Sequence, residues 1–197
     1  MVSGQWSVIL ASNSPRRKEL LAGLGIDYEV RTLPDIDESY PEDLKGGDIP
    51  LYISKEKADA YKAMLKPYEL IITADTIVWL HDEVLGKPRD REEAIEMLQK
   101  LSGETHEVFT GVTLTTLEKQ HSFYVETKVT FSKLTDEEIT YYVDTYKPFD
   151  KAGSYGVQEW IGYIGVERIE GSYFNVMGLP VQRLYRELKL FNLSFTS

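Results

Sequence analysis

The chain has 197 residues, 42% of them hydrophobic and 27% charged, with a formal net charge of −10 and no cysteine. That length fits one large domain or two lobes sharing a cleft, and it buries a core without covalent staples. The missing cysteines exclude disulfides, thiolate metal sites and cysteine nucleophiles. The acidic balance opposes a broad nucleic-acid surface, which needs a basic footprint. The opening MVSGQWSVIL lacks the basic n-region and long apolar run of a secretory signal. No apolar run approaches the roughly 20 residues of a membrane helix. A cytoplasmic protein is expected, and an anionic small molecule is an admissible partner if local basic residues or a metal offset the field.

Val8 to Ala11 is a fully apolar run suited to a buried strand. Ser14 then suits an N-cap, Pro15 a first helical position and Gly25 a stop, which predicts a helix over Arg16 to Gly23. Tyr28 to Leu33 reads as a strand and leads into the acidic Asp35-Ile36-Asp37-Glu38. Asp48 to Leu65 has helical apolar spacing and carries Lys55 and Lys57. Leu70 to Leu80 reads as a long buried strand with Asp75 in its middle. Asp90-x-x-Glu93 opens a helix to Leu101, stopped by Gly103. Val108 to Leu117 and Phe123 to Phe131 flank Glu118-Lys119-Gln120 as a hairpin. Thr135-x-x-Glu138 begins a helix through Tyr142, Tyr163 to Ile169 reads as a strand, and Gly178-Leu179-Pro180 starts a last helix to about Leu190. Asn192 to Ser197 reads as a loose tail. Interspersed strands and helices with one hairpin predict an α/β fold with a mixed sheet.

Six segments could carry chemistry. Ser12-Asn13-Ser14-Pro15-Arg16-Arg17 lies where a strand meets a helix, where free N–H groups, hydroxyls and guanidinium forks favour an anion. A plain helix cap with two solvated arginines is the alternative. Asp75 sits among apolar residues, and a buried carboxylate is costly unless it binds a metal or reacts. A strand-end aspartate bonded to nearby amides is the alternative. Asp37-Glu38 matters only if the fold brings it to Asp75, where hard oxygen ligands would suit Mg²⁺ or Mn²⁺. Lys87, in Gly86-Lys87-Pro88, is held extended by the following proline and could act as a point charge on phosphate, a plain surface lysine being the safer reading from this segment alone. Asp150 to Gln158 combines two glycines with an amide suited to a nucleobase edge. Glu167 to Pro180 ends at another helix start, with Ser172 and Asn175 available to a ligand. A turn or a strand-turn-helix junction explains the last two segments equally well. The histidines His81, His106 and His121 lack metal-ligand spacing, and neither a P-loop nor a G-x-S-x-G elbow occurs.

In this order, LASNSPRR, the acidic DE, Lys57-Ala58, ADTIV, GKP, DKAGSYGVQ and GSYFNVMGLP resemble the Maf family of nucleotide pyrophosphatases from about Ser7 to Leu190. The resemblance implies one domain over residues 1–197, two-lobed around a nucleotide-binding cleft, with an elongated mixed sheet flanked by helices as in the inosine triphosphate pyrophosphatases (the Maf/Ham1 fold). It implies Asp75 as the catalytic carboxylate, with Glu38 and Asp75 holding a divalent Mg²⁺ or Mn²⁺. Ser12, Ser14, Arg16, Lys57 and Lys87 would line the triphosphate, Lys55 being the alternative to Lys57. Arg16, Thr76 and Gln158 match positions that choose the base. AGSYGVQ with GSYFNVMGLP is similar to the branch that splits dTTP and UTP into monophosphate and pyrophosphate. A non-catalytic nucleotide-binding regulator of cell division is the rival reading. The resemblance is compatible with a homodimer, and it implies neither nucleic acid nor membrane as a partner.

Overall fold

The computed structural model describes residues 6–193. The first five residues of the opening segment and residues 194–197 of the expected tail lie outside the described residues.

β1 (Ser7–Leu10) pairs in parallel with β2 (Tyr28–Val30) on one side and with β3 (Glu69–Leu80) on the other. A strand covered on both faces must be apolar throughout, and Val8, Ile9 and Leu10 are all buried. α1 (Pro15–Gly23) follows β1 through a tight loop. The Ser14 hydroxyl accepts the Arg17 N–H at 3.4 Å, Pro15 takes the first helical position, and Gly25 turns the chain with φ +71°. β2 is shorter than the expected Tyr28 to Leu33. Arg31 still donates to the Leu10 carbonyl, but the Leu33 N–H turns to the Tyr61 hydroxyl at 2.8 Å, which takes the chain off the sheet.

α2 (Asp48–Lys62) buries Ile49, Ile53, Ala58 and Tyr61. Its first turn lies flat on two strands. A Cβ on Gly47 would stand 2.4 Å from the Tyr124 ring, and one on Gly111 would stand 2.3 Å from the Pro50 carbonyl. One turn later the Ser54 hydroxyl meets Thr113 Oγ1 at 2.8 Å, Thr113 meets Ser122 at 2.8 Å, and Thr73 donates to the Ser54 carbonyl at 2.7 Å. The helix ends at Lys62 and not at Leu65, because the Met64 and Leu65 N–H groups bond three residues back and tighten the last turn. Ile9, Tyr61, Leu65 and Ile71 form a core cluster against which Leu33 and Ile36 pack.

β4 (Glu83–Leu85), absent from the sequence reading, pairs antiparallel with the end of β3. The two turn residues, His81 and Asp82, both have positive φ, a conformation that Asn-Gly normally signals. α3 (Arg91–Leu101) is capped by Asp90, which accepts the Glu93 N–H at 2.9 Å. The capping box that Asp90-x-x-Glu93 resembles in sequence does not close, since the Glu93 carboxylate goes to Arg89. β5 (Thr105–Thr115) and β6 (Gln120–Phe131) form the expected hairpin, the Thr116 hydroxyl accepting the N–H groups of Glu118 and Lys119. Gln120 belongs to the strand and not to the turn. α4 (Asp136–Tyr146) opens with a complete capping box at Thr135 and Glu138, and runs a turn beyond Tyr142 to a left-handed Lys147.

The expected strand over Tyr163 to Ile169 is corrected. Residues 163–165 complete α5 (Trp160–Gly165), and only Val166 begins β7 (Val166–Glu170). The Gly162 N–H donates to the Glu159 carbonyl and the Val166 N–H to the Gly162 carbonyl, so local helical bonds override the aromatic and β-branched composition. α6 (Tyr173–Met177) is a further short helix, and α7 (Val181–Leu188) runs into a 3-10 turn at Lys189–Phe191.

Among the described residues the strands form one mixed seven-stranded sheet in the order β2-β1-β3-β5-β6-β7, with β4 paired to β3. The chain divides into two compact units. Among the described residues the first comprises 6–75, Thr110–Val125 and 178–193, and the second Thr76–Phe109 and Glu126–Met177. Among the described residues no helix is long and apolar enough to cross a membrane.

Candidate active site

In the first unit, three elements bring charges to one point. β3 supplies Asp75, α2 supplies Lys57, and the loop after β2 supplies Glu38. The Lys57 ammonium lies 3.1 Å from Asp75 Oδ1 and 2.8 Å from Glu38 Oε1, and donates to the Ala74 carbonyl at 3.3 Å. The side chains of Lys57 and Asp75 are only 13% and 14% exposed, so this ion pair is shielded from water and salt. Lys55 lies on the exposed face of α2. The hydroxyl contacts of Ser54, three residues before Lys57, fix the helix register that makes this distinction.

The acidic loop is shaped by its other carboxylate. Asp37 accepts the Ser39 N–H at 2.9 Å and its hydroxyl at 2.8 Å, which holds Asp37 below the usual carboxylate range and makes it a turn residue. Glu38 then turns to Lys57.

Arg17, which the sequence reading passed over in favour of Arg16, takes a central place. Its Nε donates to the Gly178 carbonyl at 2.8 Å, tying α1 to the segment before α7. Burial lowers its affinity for a proton, and the charges of Asp75 and Glu38 oppose that effect; a guanidinium is in any case too basic to lose its proton in a protein. Arg16 is close enough for its charge to be felt at Arg17. The doubled arginine was the visible signal. Ser12 is buried, its hydroxyl accepting the Ser14 N–H at 3.1 Å, and the Ser14 hydroxyl accepts the Arg17 N–H at the helix cap with its own O–H left to donate.

Burial raises the Asp75 carboxyl above its ordinary pKa. Lys57 and Arg17 pull it back, and Glu38 adds to the rise. A carboxylate so placed is a better proton acceptor than a solvated one. The arrangement also fits a divalent cation. Two hard oxygen ligands already converge on one positive charge, the Lys57 ammonium. Among the described residues no cluster of three His, Cys, Asp or Glu side chains forms a metal site. Magnesium sites at phosphates commonly use one or two carboxylates, with phosphate and water oxygens filling the rest.

In the second unit, Thr76 follows Asp75 along β3, and Lys87 is exposed just after β4. The Gly153 N–H donates to the Gly86 carbonyl at 3.1 Å, so the Lys87 segment and the loop carrying Gln158 are tied together. Gly153 has φ +69°, and a Cβ there would stand 2.8 Å from Val78. Gln158 Oε1 is buried, and no donor among the described residues reaches it. Asn175 is structural, its amide donating to the Val108 carbonyl and to Thr127. His106 is a core residue, paired with the Tyr155 hydroxyl at 2.6 Å and lowered by burial to a pKa of about 4.

The fold is that of the Ham1 proteins. The structure of the Staphylococcus aureus Ham1 protein matches with a TM-score of 0.54 over 94% of this chain and 99% of that one, at 16% identity. Within that fold class, the family described as Maf-like protein matches residues 7–191, and the chain belongs to it. A relative from Bacteroides thetaiotaomicron, named dTTP/UTP pyrophosphatase, is 66% identical over 185 residues, covering 94% of this chain and 96% of that protein. One from Parabacteroides distasonis, with the same name, is 61% identical over 187 residues, covering 95% and 97%.

Proposed function

We propose that this chain hydrolyses dTTP and UTP to the monophosphate and pyrophosphate, in the cytoplasm and with a divalent cation. The observation that carries this reading is the meeting of Asp75 and Glu38 at the Lys57 ammonium. It is joined to relatives named for that activity. Lys57 and Arg17, with a divalent cation held between the shielded Asp75 and the exposed Glu38, suit a polyanion better than a neutral ligand, and the net charge of −10 disfavours nucleic acid.

Asp75 orients a water and takes its proton as that water attacks the α-phosphorus, a role supported by its burial. Lys57 holds Asp75 in place and, with Arg17, offsets charge that builds on the phosphate oxygens. Ser12, at the entrance to α1, offers a hydroxyl to a phosphate oxygen. Glu38 and Asp75 would hold Mg²⁺ or Mn²⁺, which supplies Lewis-acid polarisation of the phosphate when bound. By family resemblance, Lys87 serves the pyrophosphate, and Arg16, Thr76 and Gln158 serve the base.

The test is a nucleotide panel with Mg²⁺ or Mn²⁺ that follows monophosphate and pyrophosphate separately. Turnover of dTTP and UTP to those products is expected, with loss of nearly all of it in a folded Asp75→Asn variant. Turnover of purine nucleotides alone would defeat the base reading. Near-normal activity of Asp75→Asn would defeat the catalytic one.

A further inference from the structure

The turn that carries Gln158 is held by a network the proposed chemistry does not use. Tyr142, on α4, is completely buried. Its hydroxyl accepts the Gly156 N–H at 3.0 Å and donates to Glu159 Oε1 at 2.8 Å. Lys151 Nζ lies 3.6 Å from that same carboxylate oxygen and 3.0 Å from Asp150 Oδ1. These groups are shielded, the side chains of Lys151 and Glu159 being 13% and 20% exposed. A Cβ on Gly156 would stand 2.3 Å from Glu159 Oε1, so any side chain there would push that carboxylate aside. The Glu159 N–H donates to the Gly156 carbonyl at 3.0 Å and closes the turn, with Gln158 inside it. One hydroxyl on a rigid helix therefore pins the chain on both sides of Gln158.

A glutamine amide offers a donor at one end and an acceptor at the other. Uracil and cytosine differ by the same exchange, a carbonyl oxygen against an amino group. An amide free to turn over satisfies either base, whereas an amide held in one orientation tells them apart. The turn fixes the backbone from which the Gln158 amide reaches the base, so a loosened turn weakens the discrimination.

We propose that Tyr142, with Glu159 and Lys151, is a positioning device that orients Gln158 and so sets the preference for uracil over cytosine. The proposal rests on the reading that Gln158 meets the base. The test measures kcat and KM for UTP and CTP in the wild type, Tyr142→Phe, Glu159→Gln, Gln158→Ala and the Tyr142→Phe/Gln158→Ala pair. Tyr142→Phe is expected to lower the UTP-over-CTP ratio of kcat/KM roughly three- to tenfold, mainly through KM for UTP. It is expected to change the ratio little further when Gln158 is already alanine. A merely structural role would lower Tm and leave the ratio alone. If Tyr142→Phe does not fold, Glu159→Gln, at the more exposed end of the network, carries the same expectation. An unchanged ratio in the folded positioning variants, with the ratio lost in Gln158→Ala, overturns the positioning role alone. A ratio unchanged in Gln158→Ala, or no preference in the wild type, removes the base reading and this proposal with it.

Discussion

The contact between Gly111 and α2 allows the position of Lys57 to be tested from a distance. In Gly111→Ala the new methyl would stand 2.3 Å from the carbon and oxygen of the Pro50 carbonyl group and 2.5 Å from the Leu51 nitrogen. Carbon atoms in contact rest about 3.5 Å apart, so the first turn of α2 must retreat by roughly 1 Å. The obstructing atoms are backbone, which cannot swing aside as a side chain does, so the cost falls near the upper end of overpacking, about 3 kcal/mol. Replacing a strand glycine returns about 0.5–1 kcal/mol through the unfolded chain. The net loss is about 2 kcal/mol, or roughly 4–8 °C in Tm for a chain of this size. Activity should fall further than stability suggests, because α2 carries Lys57. A displacement of about 1 Å at a charged contact can cost on the order of 100-fold in turnover. Calorimetry with steady-state kinetics on UTP makes the measurement. Gly23→Ala is the control, since nothing lies within 4 Å of a Cβ there and a helical alanine is slightly stabilising. A Gly111→Ala protein that melts within about 1 °C of wild type and turns over normally would refute the reasoning.

Three further outcomes are expected. Asp75→Asn should melt above wild type in the presence of a chelator, by about 2–4 °C for each kcal/mol regained, because burial is the largest influence on that carboxyl and disfavours its charge; an equal or lower Tm counts against a strained charge. Lys57→Met should lower kcat about 100-fold or more while far-UV circular dichroism is unchanged, and a loss under tenfold would leave Lys57 no part in stabilising the transition state. Glu69 accepts two hydrogen bonds from Arg31 at 2.8 and 3.0 Å, and with the Lys66 N–H these lower its pKa from 4.5 to about 2. A lowered folded pKa gives stability that is present above pH 4.5 and lost as the pH falls towards 2. Urea unfolding should show the gap between wild type and Glu69→Gln shrinking by about 1–2 kcal/mol between pH 7 and pH 2.5, after a discount for screening at the partly exposed Arg31. A gap that does not change with pH would remove the ion pair from the acid stability.

Much of this was legible in the sequence because local chemistry decided it. Ser14-Pro15, Asp90 and Thr135 each start a helix with groups only a few residues apart, and the apolar run at Val8 admits little but a buried strand. Distant partners decided what was not legible. β2 stops early because Leu33 finds the Tyr61 hydroxyl 28 residues away. The helix at Trp160 contains Tyr and Ile, residues that favour strands, and only its own backbone bonds override them. At the site, Asp75 stood out as a carboxylate in an apolar strand. The importance of Arg17 beside Arg16 depended on a carbonyl 161 residues away. The choice of Lys57 over Lys55 depended on how α2 is keyed to the strands, which no helical pattern within α2 reveals.

That keying has a consequence for how the sequence can drift. The seam of Ser54, Thr73, Thr113 and Ser122 gives α2 a directional match to the strands, where greasy side chains alone would tolerate sliding. A slip by one residue turns a helix by about 100° and would carry Lys57 away from its carboxylates. Val and Ala in place of the four hydroxyl residues could match the seam in bulk and even in melting temperature while losing the alignment. Descendants of this chain are therefore free to vary the outward face of α2 around Lys55, Glu56 and Asp59. The hydroxyl seam should change as slowly as the charged residues it aims.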